Sequence, residues 1–359
     1  MRKNAFVLSV LALALAVVGC KPRHDDPETG SNDVAGSAGK SLVKKMEIRV
    51  FDQDTVDDYE VDGSATLSFS YEEGRLASIT GTGEYEYRDD YDVETMTGTA
   101  TVGFEYAGEK IDVSLSLDAT VDYGPDGTDH ASGRGTMELQ MNADKAVASS
   151  RTLFGSGDVL DEYLVGFEYT DKYLTRLVVP YWPDLTAESY GLEYGWENGN
   201  IVRVGSYDDY GYGKHSAKGD DEGRLSLQDC MVRLMFPLAG ILSSPGDVRN
   251  EAKSAVDWYD DYHLVYTAQE NKSNLDFASL VWTFCGGIAD YSQFLGVLGF
   301  TGTMSRNLPE SLYEDDEYEP DGRWEYGRVE YTFNDQDLVT DMRVYDEEGE
   351  QLGTIRLSY

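Results

Sequence analysis

Three groups of side chains in this chain have types and spacings that could do chemistry. Asp122, Asp126 and Asp129 surround the turn Gly124-Pro125-Asp126-Gly127 and gather hard oxygen donors of the kind calcium takes. Their spacing is not that of an EF-hand loop, and among 67 acidic residues such groupings also arise by chance. Val179-Pro180-Tyr181-Trp182-Pro183-Asp184 places two aromatics between prolines, beside a carboxylate. Aromatic planes stack on the apolar faces of sugars and acids accept from hydroxyls, so Tyr181, Trp182 and Asp184 form a candidate glycan-binding face. Rim packing is the alternative for the two aromatics. Cys230 and Cys285 are candidate disulfide partners, with two buried free thiols as the alternative.

Other chemistries find less support. There is no G-x-S-x-G elbow for a serine nucleophile. The four histidines, His24, His130, His215 and His263, lack metal-ligand spacing among themselves or with the cysteines. A glycoside hydrolase needs two carboxylates at a defined separation, and this acidic chain offers too many pairs to nominate one. Calcium is therefore the single cofactor the residues suggest.

The formal charge is −38, from 67 Asp and Glu against 29 Lys and Arg. That excludes a general grip on a phosphate backbone, so no nucleic-acid partner is expected. At 41% hydrophobic and 12% aromatic, the chain can still bury a large core.

The elements that must position these residues are hairpins. Leu192, Tyr194 and Trp196 alternate with Glu193, Gly195 and Glu197, the pattern of a strand with one apolar face. Asn198-Gly199 then suits a tight turn with positive φ at both positions, and Ile201 to Val204 returns as the partner strand. An aromatic followed by apolar residues five and eight positions on recurs as Tyr71, Leu76, Ile79 and as Tyr169, Leu174, Leu177. The two apolar residues of each return strand are three apart, so they point to opposite faces unless a bulge intervenes. Recurrent bulges, or a sheet covered on both faces, are the two solutions. Turns are also expected at Asp62-Gly63, Glu73-Gly74, Ala107-Gly108 and Glu348-Gly349, the last dividing two strands between Trp324 and Tyr359.

Residues 225 to 308 break this pattern with helix-compatible, apolar segments. Phe294, Leu295, Val297, Leu298 and Phe300 are too apolar to face water together. The expected arrangement is an insertion that fills the barrel. A movable cover hinged at Gly286, Gly287, Gly296 and Gly299 is the alternative.

At the amino terminus, Arg2 and Lys3 precede an apolar run from Ala5 to Val18, the right length for a secretory signal and too short to span a bilayer. Leu15-Ala16-Val17-Val18-Gly19-Cys20 resembles a bacterial lipobox, which implies an acylated Cys20 held in a lipid bilayer. Residues 1–19 then form the signal peptide, 20–42 the lipidated cysteine with a flexible tether, and 43–359 one β domain containing the 225–308 insertion. Asp25-Asp26-Pro27-Glu28 resembles the surface-export signal of Bacteroidetes lipoproteins, with a charged linker as the alternative. Outer-membrane anchoring is expected, at the cell surface or on the periplasmic face.

The hairpins, the lipobox and the insertion together resemble Bacteroidales lipoproteins that carry a domain of unknown function with a porin-like fold. The matching residues of the insertion are Asn274-Leu275-Asp276, Phe294 to Phe300, and Asn307-Leu308-Pro309. The resemblance spans roughly residues 60–359. It implies a large antiparallel meander, rolled or closed into a barrel with the insertion in or over it, and it implies no activity. A non-catalytic surface protein binding a glycan or other extracellular ligand is the leading functional expectation. A glycan-processing hydrolase and a structural component with an envelope protein partner are the alternatives.

Overall fold

The structure, a computed structural model, describes residues 40–54, 59–89, 93–122, 124–156, 159–180, 189–208, 262–285, 295–315 and 322–359. Sixteen strands follow in order: β1 Lys45–Asp54, β2 Tyr59–Glu72, β3 Arg75–Asp89, β4 Val93–Ala107, β5 Lys110–Asp122, β6 Thr128–Met141, β7 Val147–Ser156 and β8 Val159–Thr170. The second half comprises β9 Tyr173–Pro180, β10 Ser189–Glu197, β11 Asn200–Asp208, β12 Tyr262–Glu270, β13 Asn307–Asp315, β14 Arg323–Phe333, β15 Val339–Tyr345 and β16 Gln351–Ser358. Each pairs antiparallel with its neighbours in sequence, and β1 pairs with β16, with Ile48 opposite Ile355. The sheet is a closed barrel without a free edge.

One face of the wall is apolar. Met46, Ile48 and Val50 on β1, Val102 and Phe104 on β4, and Ile355 and Leu357 on β16 belong to one continuous cluster that also includes Phe277, Leu295 and Phe300 of the insertion. This face is therefore the lumen. The opposite face carries ion pairs between neighbouring strands: Arg49 with Asp62 at 2.9 Å, Lys110 with Glu138 at 2.7 Å, and Arg176 with Glu193 at 3.3 Å. Each Arg or Lys facing lipid near the bilayer centre would cost about 2–4 kcal/mol. The outer wall is built for water.

Bulges resolve the odd spacing of the return strands. The register shifts at Ser70/Tyr71, Glu168/Tyr169 and Gly195/Trp196, so Tyr71 opposes Leu76 while Ser70 already opposes Ser78. One extra residue per hairpin turns both apolar positions inward. Leu76 and Ile79, Leu174 and Leu177, and Ile201 and Val204 are all buried. The turns take the expected strain: φ is 53° and 76° at Glu73-Gly74 and 53° and 83° at Asn198-Gly199.

The aromatic of each repeat has a second role. Its polar atom donates to a backbone carbonyl at the start of the adjoining strand: Tyr71 to Val43 at 2.7 Å, Tyr169 to Val147 at 2.7 Å, and Trp196 Nε1 to Leu174 at 2.7 Å. Tyr106 reaches Leu76, Tyr331 reaches Pro309 and Tyr359 reaches Val339 in the same way. In the β5–β6 pair Gln140 takes this position, donating to Glu109 at 3.1 Å. These bonds ring one end of the barrel, the end where the chain enters at Lys40; we call it the plug rim. Burial raises the pKa of the Tyr71, Tyr169 and Tyr359 phenols, to about 12 for Tyr71.

Three sequence expectations need correction. Residues 225–308 are not one helical insertion, because β12 runs through them at Tyr262–Glu270. Tyr262 and Leu264 face the core with His263 between them, an alternation too short to outweigh the helical spacing on either side. The remaining insertion is the 271–306 connection from β12 to β13, with helix α1 at Phe277–Cys285. The expected helical segments from Leu225 to Tyr259 lie outside the described residues. Asp62-Gly63 is not a turn either. It continues β2, where buried Gly63 sits opposite Tyr85 in the register. Between Trp324 and Tyr359 there are three strands, because Asn334 to Leu338 forms a further turn in which Asn334 Oδ1 accepts from Gln336 and Leu338.

Candidate functional site

The 271–306 connection enters the lumen from the plug rim, and its neck is polar. Asn271, Ser273, Asn274, Asp276 and Ser305 are each at most 5% exposed. Asn271 donates to Leu275 O at 2.9 Å and accepts from Ser273 N at 3.0 Å. Asn274 accepts from Val43 N at 2.8 Å and donates to Tyr71 OH at 3.0 Å. The chain at Ser41 lies parallel to this neck, with Ser41 N donating to Lys272 O and Asn274 N donating to Ser41 O. Lys40 Nζ donates to Asn271 O, and burial lowers the lysine's pKa.

Asp276 is the chemical centre of the neck. It precedes α1 and caps it: Oδ1 accepts from Ala278 N at 3.3 Å and Oδ2 from Ser279 Oγ at 3.0 Å. Oδ1 also accepts from Ser305 N at 3.4 Å, joining the way in to the way out. Ser305 Oγ in turn meets Tyr266 OH at 3.0 Å and accepts from Ile201 N at 3.1 Å, which fastens the exit to the wall. Desolvation pushes the Asp276 carboxyl up to about 6, against the opposing pull of these donors.

Beyond the neck the segment is apolar. Leu295 and Phe300 are fully buried, and Val297 and Leu298 are 5% exposed. Phe300 stacks on Phe104 of the wall at 5.4 Å, and Phe277 meets Tyr331 edge-on at 5.8 Å. Burying each large side chain stabilises by about 1.5–3 kcal/mol. The described part of the insertion is a plug. Of the glycines named as hinges, Gly286 and Gly287 lie outside the described residues; a Cβ on Gly296 would lie 2.6 Å from Ser279 Oγ, and Gly299 takes a positive φ of 77° that favours glycine.

Where the plug meets β9, β10, β11 and β12, a cavity of about 30 Å³ remains. Asp276, Ser279, Thr301 and Thr303 line it on one side and Trp196, Ile201 and Leu264 on the other. That volume holds about one water molecule. The Trp196 indole N–H and the Asp276 carboxylate already have partners, so this site supports the plug instead of offering a substrate pocket.

The sequence-nominated residues are not brought together here. Asp122 is exposed, and its Oδ1 accepts from Gly124 N at 2.9 Å, closing its own turn. Asp126 lies in the short 3-10 turn Gly124–Asp126, and Asp129 pairs with Val121 across β5 and β6. Among the described residues no group of three or more His, Cys, Asp or Glu side chains gathers as a metal site. Tyr181, Trp182 and Asp184, in the connection between β9 and β10, lie outside the described residues, as do Cys20, Cys230 and Phe294. Cys285 closes α1. Sequence reasoning named Asn274-Leu275-Asp276 only as a matching motif; its capping role could have been found from an acid just before an apolar run, with Ser279 three residues on.

No family model matches the sequence, and no curated protein matches it. Among solved structures, a porin-like protein from Bacteroides uniformis ATCC 8492 is similar at a TM-score of 0.50 and 12% identity, over 89% of this chain and 98% of that one. A porin-like protein from Bacteroides vulgatus ATCC 8482 aligns at a TM-score of 0.45, also at 12% identity, with 89% and 98% covered. By its strand order, and by its likeness to the first of these, the chain has the fold of a porin-like closed barrel of sixteen antiparallel strands.

Proposed function

We propose that this protein is a non-catalytic binding lipoprotein. It is a water-facing barrel, held to the outer membrane by acyl chains on Cys20, that recognises a glycan or other extracellular ligand on its exterior. The observation that carries this reading is the filled lumen. The apolar rows of the wall and the side chains of Leu275, Leu295 and Phe300 form one cluster, so the described barrel has a core where a porin has a channel. The outer wall, with its cross-strand ion pairs, argues against lipid contact by the strands and leaves acylation as the means of attachment.

Recognition then falls to the rims and the outer surface, where Tyr181, Trp182 and Asp184 are the candidate glycan contacts. The experiment is equilibrium binding to a glycan panel with product analysis on the same samples. Binding without product, lost in Trp182→Ala at unchanged melting temperature, supports the reading. Turnover abolished by one Asp or Glu substitution overturns it in favour of a hydrolase. Attachment is tested by metabolic labelling with a fatty-acid analogue. Cys20→Ala should lose the label and leave the membrane fraction, and label retained on the alanine variant contradicts the anchor.

A further inference from the structure

We infer that the plug rim is the surface that lies against the bilayer, with the opposite rim directed away from it. The inference rests on the proposed anchor at Cys20. Whatever path residues 21–39 take, the chain joins the barrel at Lys40, and that point is fastened on several sides. Ser41 bonds Lys272 and Asn274 of the plug neck, Val43 N bonds Asn274 Oδ1, and Lys44 N bonds Ser358 O at the seam between β1 and β16. An anchor on this strand pulls on the plug rim alone.

Charge acts in the same direction. At the plug rim, acids sit beside cations: Glu73 with Arg75 at 2.6 Å, Asp337 with Lys272 at 2.8 Å, and Glu270 with Arg306 at 3.8 Å. The far rim is different in composition. Its β15–β16 turn reads Asp346-Glu347-Glu348-Gly349-Glu350, four acids with Arg328 the cation beside Gly349. An anionic lipid surface repels such a rim within a Debye length of about 8–10 Å and tolerates a balanced one. Tether position and charge therefore select the same orientation, with the plug neck over the lipid headgroups and the acidic rim presented outward.

The test uses the lipidated full-length protein on vesicles of phosphatidylethanolamine and phosphatidylglycerol with a headgroup acceptor dye. A clickable p-azidophenylalanine carries the donor dye at Asp335 or at Glu348, exposed turn positions at the two ends of β15. Lys172, in another plug-rim turn, is a second near position. Seven strand residues separate the two ends, so Asp335 should report a donor–acceptor distance shorter by roughly 20 Å than Glu348. Lys172 should group with Asp335. Equal transfer from all three on vesicle-bound protein, or stronger transfer from Glu348, overturns the orientation while leaving the anchor standing. Failure of the protein to float with vesicles refutes the anchor itself, and the orientation with it.

Discussion

Asp276→Asn isolates the cost of a buried carboxylate at the plug neck. In the folded protein burial raises this carboxyl from 3.8 to about 6, a shift of about two units, on the order of 3 kcal/mol. The sign follows from proton binding. Below about pH 4 both folded and unfolded chains hold the proton, so there is no penalty. Between there and about pH 6 the unfolded chain releases it first, which favours unfolding as pH rises. Above that range the folded state ionises too, and the loss levels off. Asparagine keeps an acceptor for Ala278 N and Ser305 N and cannot ionise. Urea unfolding of both proteins from pH 4 to pH 8 measures the difference. The wild type should lose on the order of 3 kcal/mol relative to the variant across the window, and the two should differ least at the acid end. Parallel curves, or a wild type that gains on the variant as pH rises, would refute the buried-carboxylate reasoning.

Three further outcomes are expected. Leu298→Asp places a charge in the core beside Leu295 and Phe300, so it should destabilise the whole barrel by several kcal/mol; unchanged melting with altered ligand binding would make the segment a lid. Tyr331→Phe removes the donor to Pro309 O at 2.7 Å and should cost about 1 kcal/mol in urea unfolding, with more than that if the buried carbonyl finds no water. Non-reducing mass spectrometry should find Cys230 bridged to Cys285, a loop of about 55 residues contributing on the order of 4 kcal/mol in the chain-entropy picture; two alkylatable thiols in the denatured protein refute the bridge.

Much of the barrel was legible because local chemistry and global fold agree in it. Asn198-Gly199 and Glu73-Gly74 are turns by backbone preference alone, and the alternation around Leu192 and Tyr194 identifies a face. The spacing of Leu76 and Ile79 left two solutions, and only the pairing of Ser70 with Ser78 chooses the bulge. The ring of aromatic-to-carbonyl bonds was legible as spacing but not as purpose, since Tyr71 and Val43 are 28 positions apart and meet only across β1 and β2. β12 was not legible because its alternation, Tyr262-His263-Leu264, is short and sits between apolar stretches that read as helix. The neck was the least legible part: Asp276 and Ser305 are ordinary polar residues until the barrel closes around them and removes water.

The filled lumen is tested most directly by hydrogen exchange on the intact protein, comparing plug residues Leu295 to Phe300 with the wall strand β5. Phe300 N bonds Leu295 O at 2.9 Å and Val147 N bonds Phe300 O at 2.9 Å, so plug and wall share their hydrogen bonds as well as their core. Amides of the plug should exchange only through global unfolding, at the rate of the best-protected wall amides and with the same denaturant dependence. Fast exchange across Leu295 to Phe300 while β5 stays protected would contradict a solid core and reopen the lumen as a channel or ligand chamber.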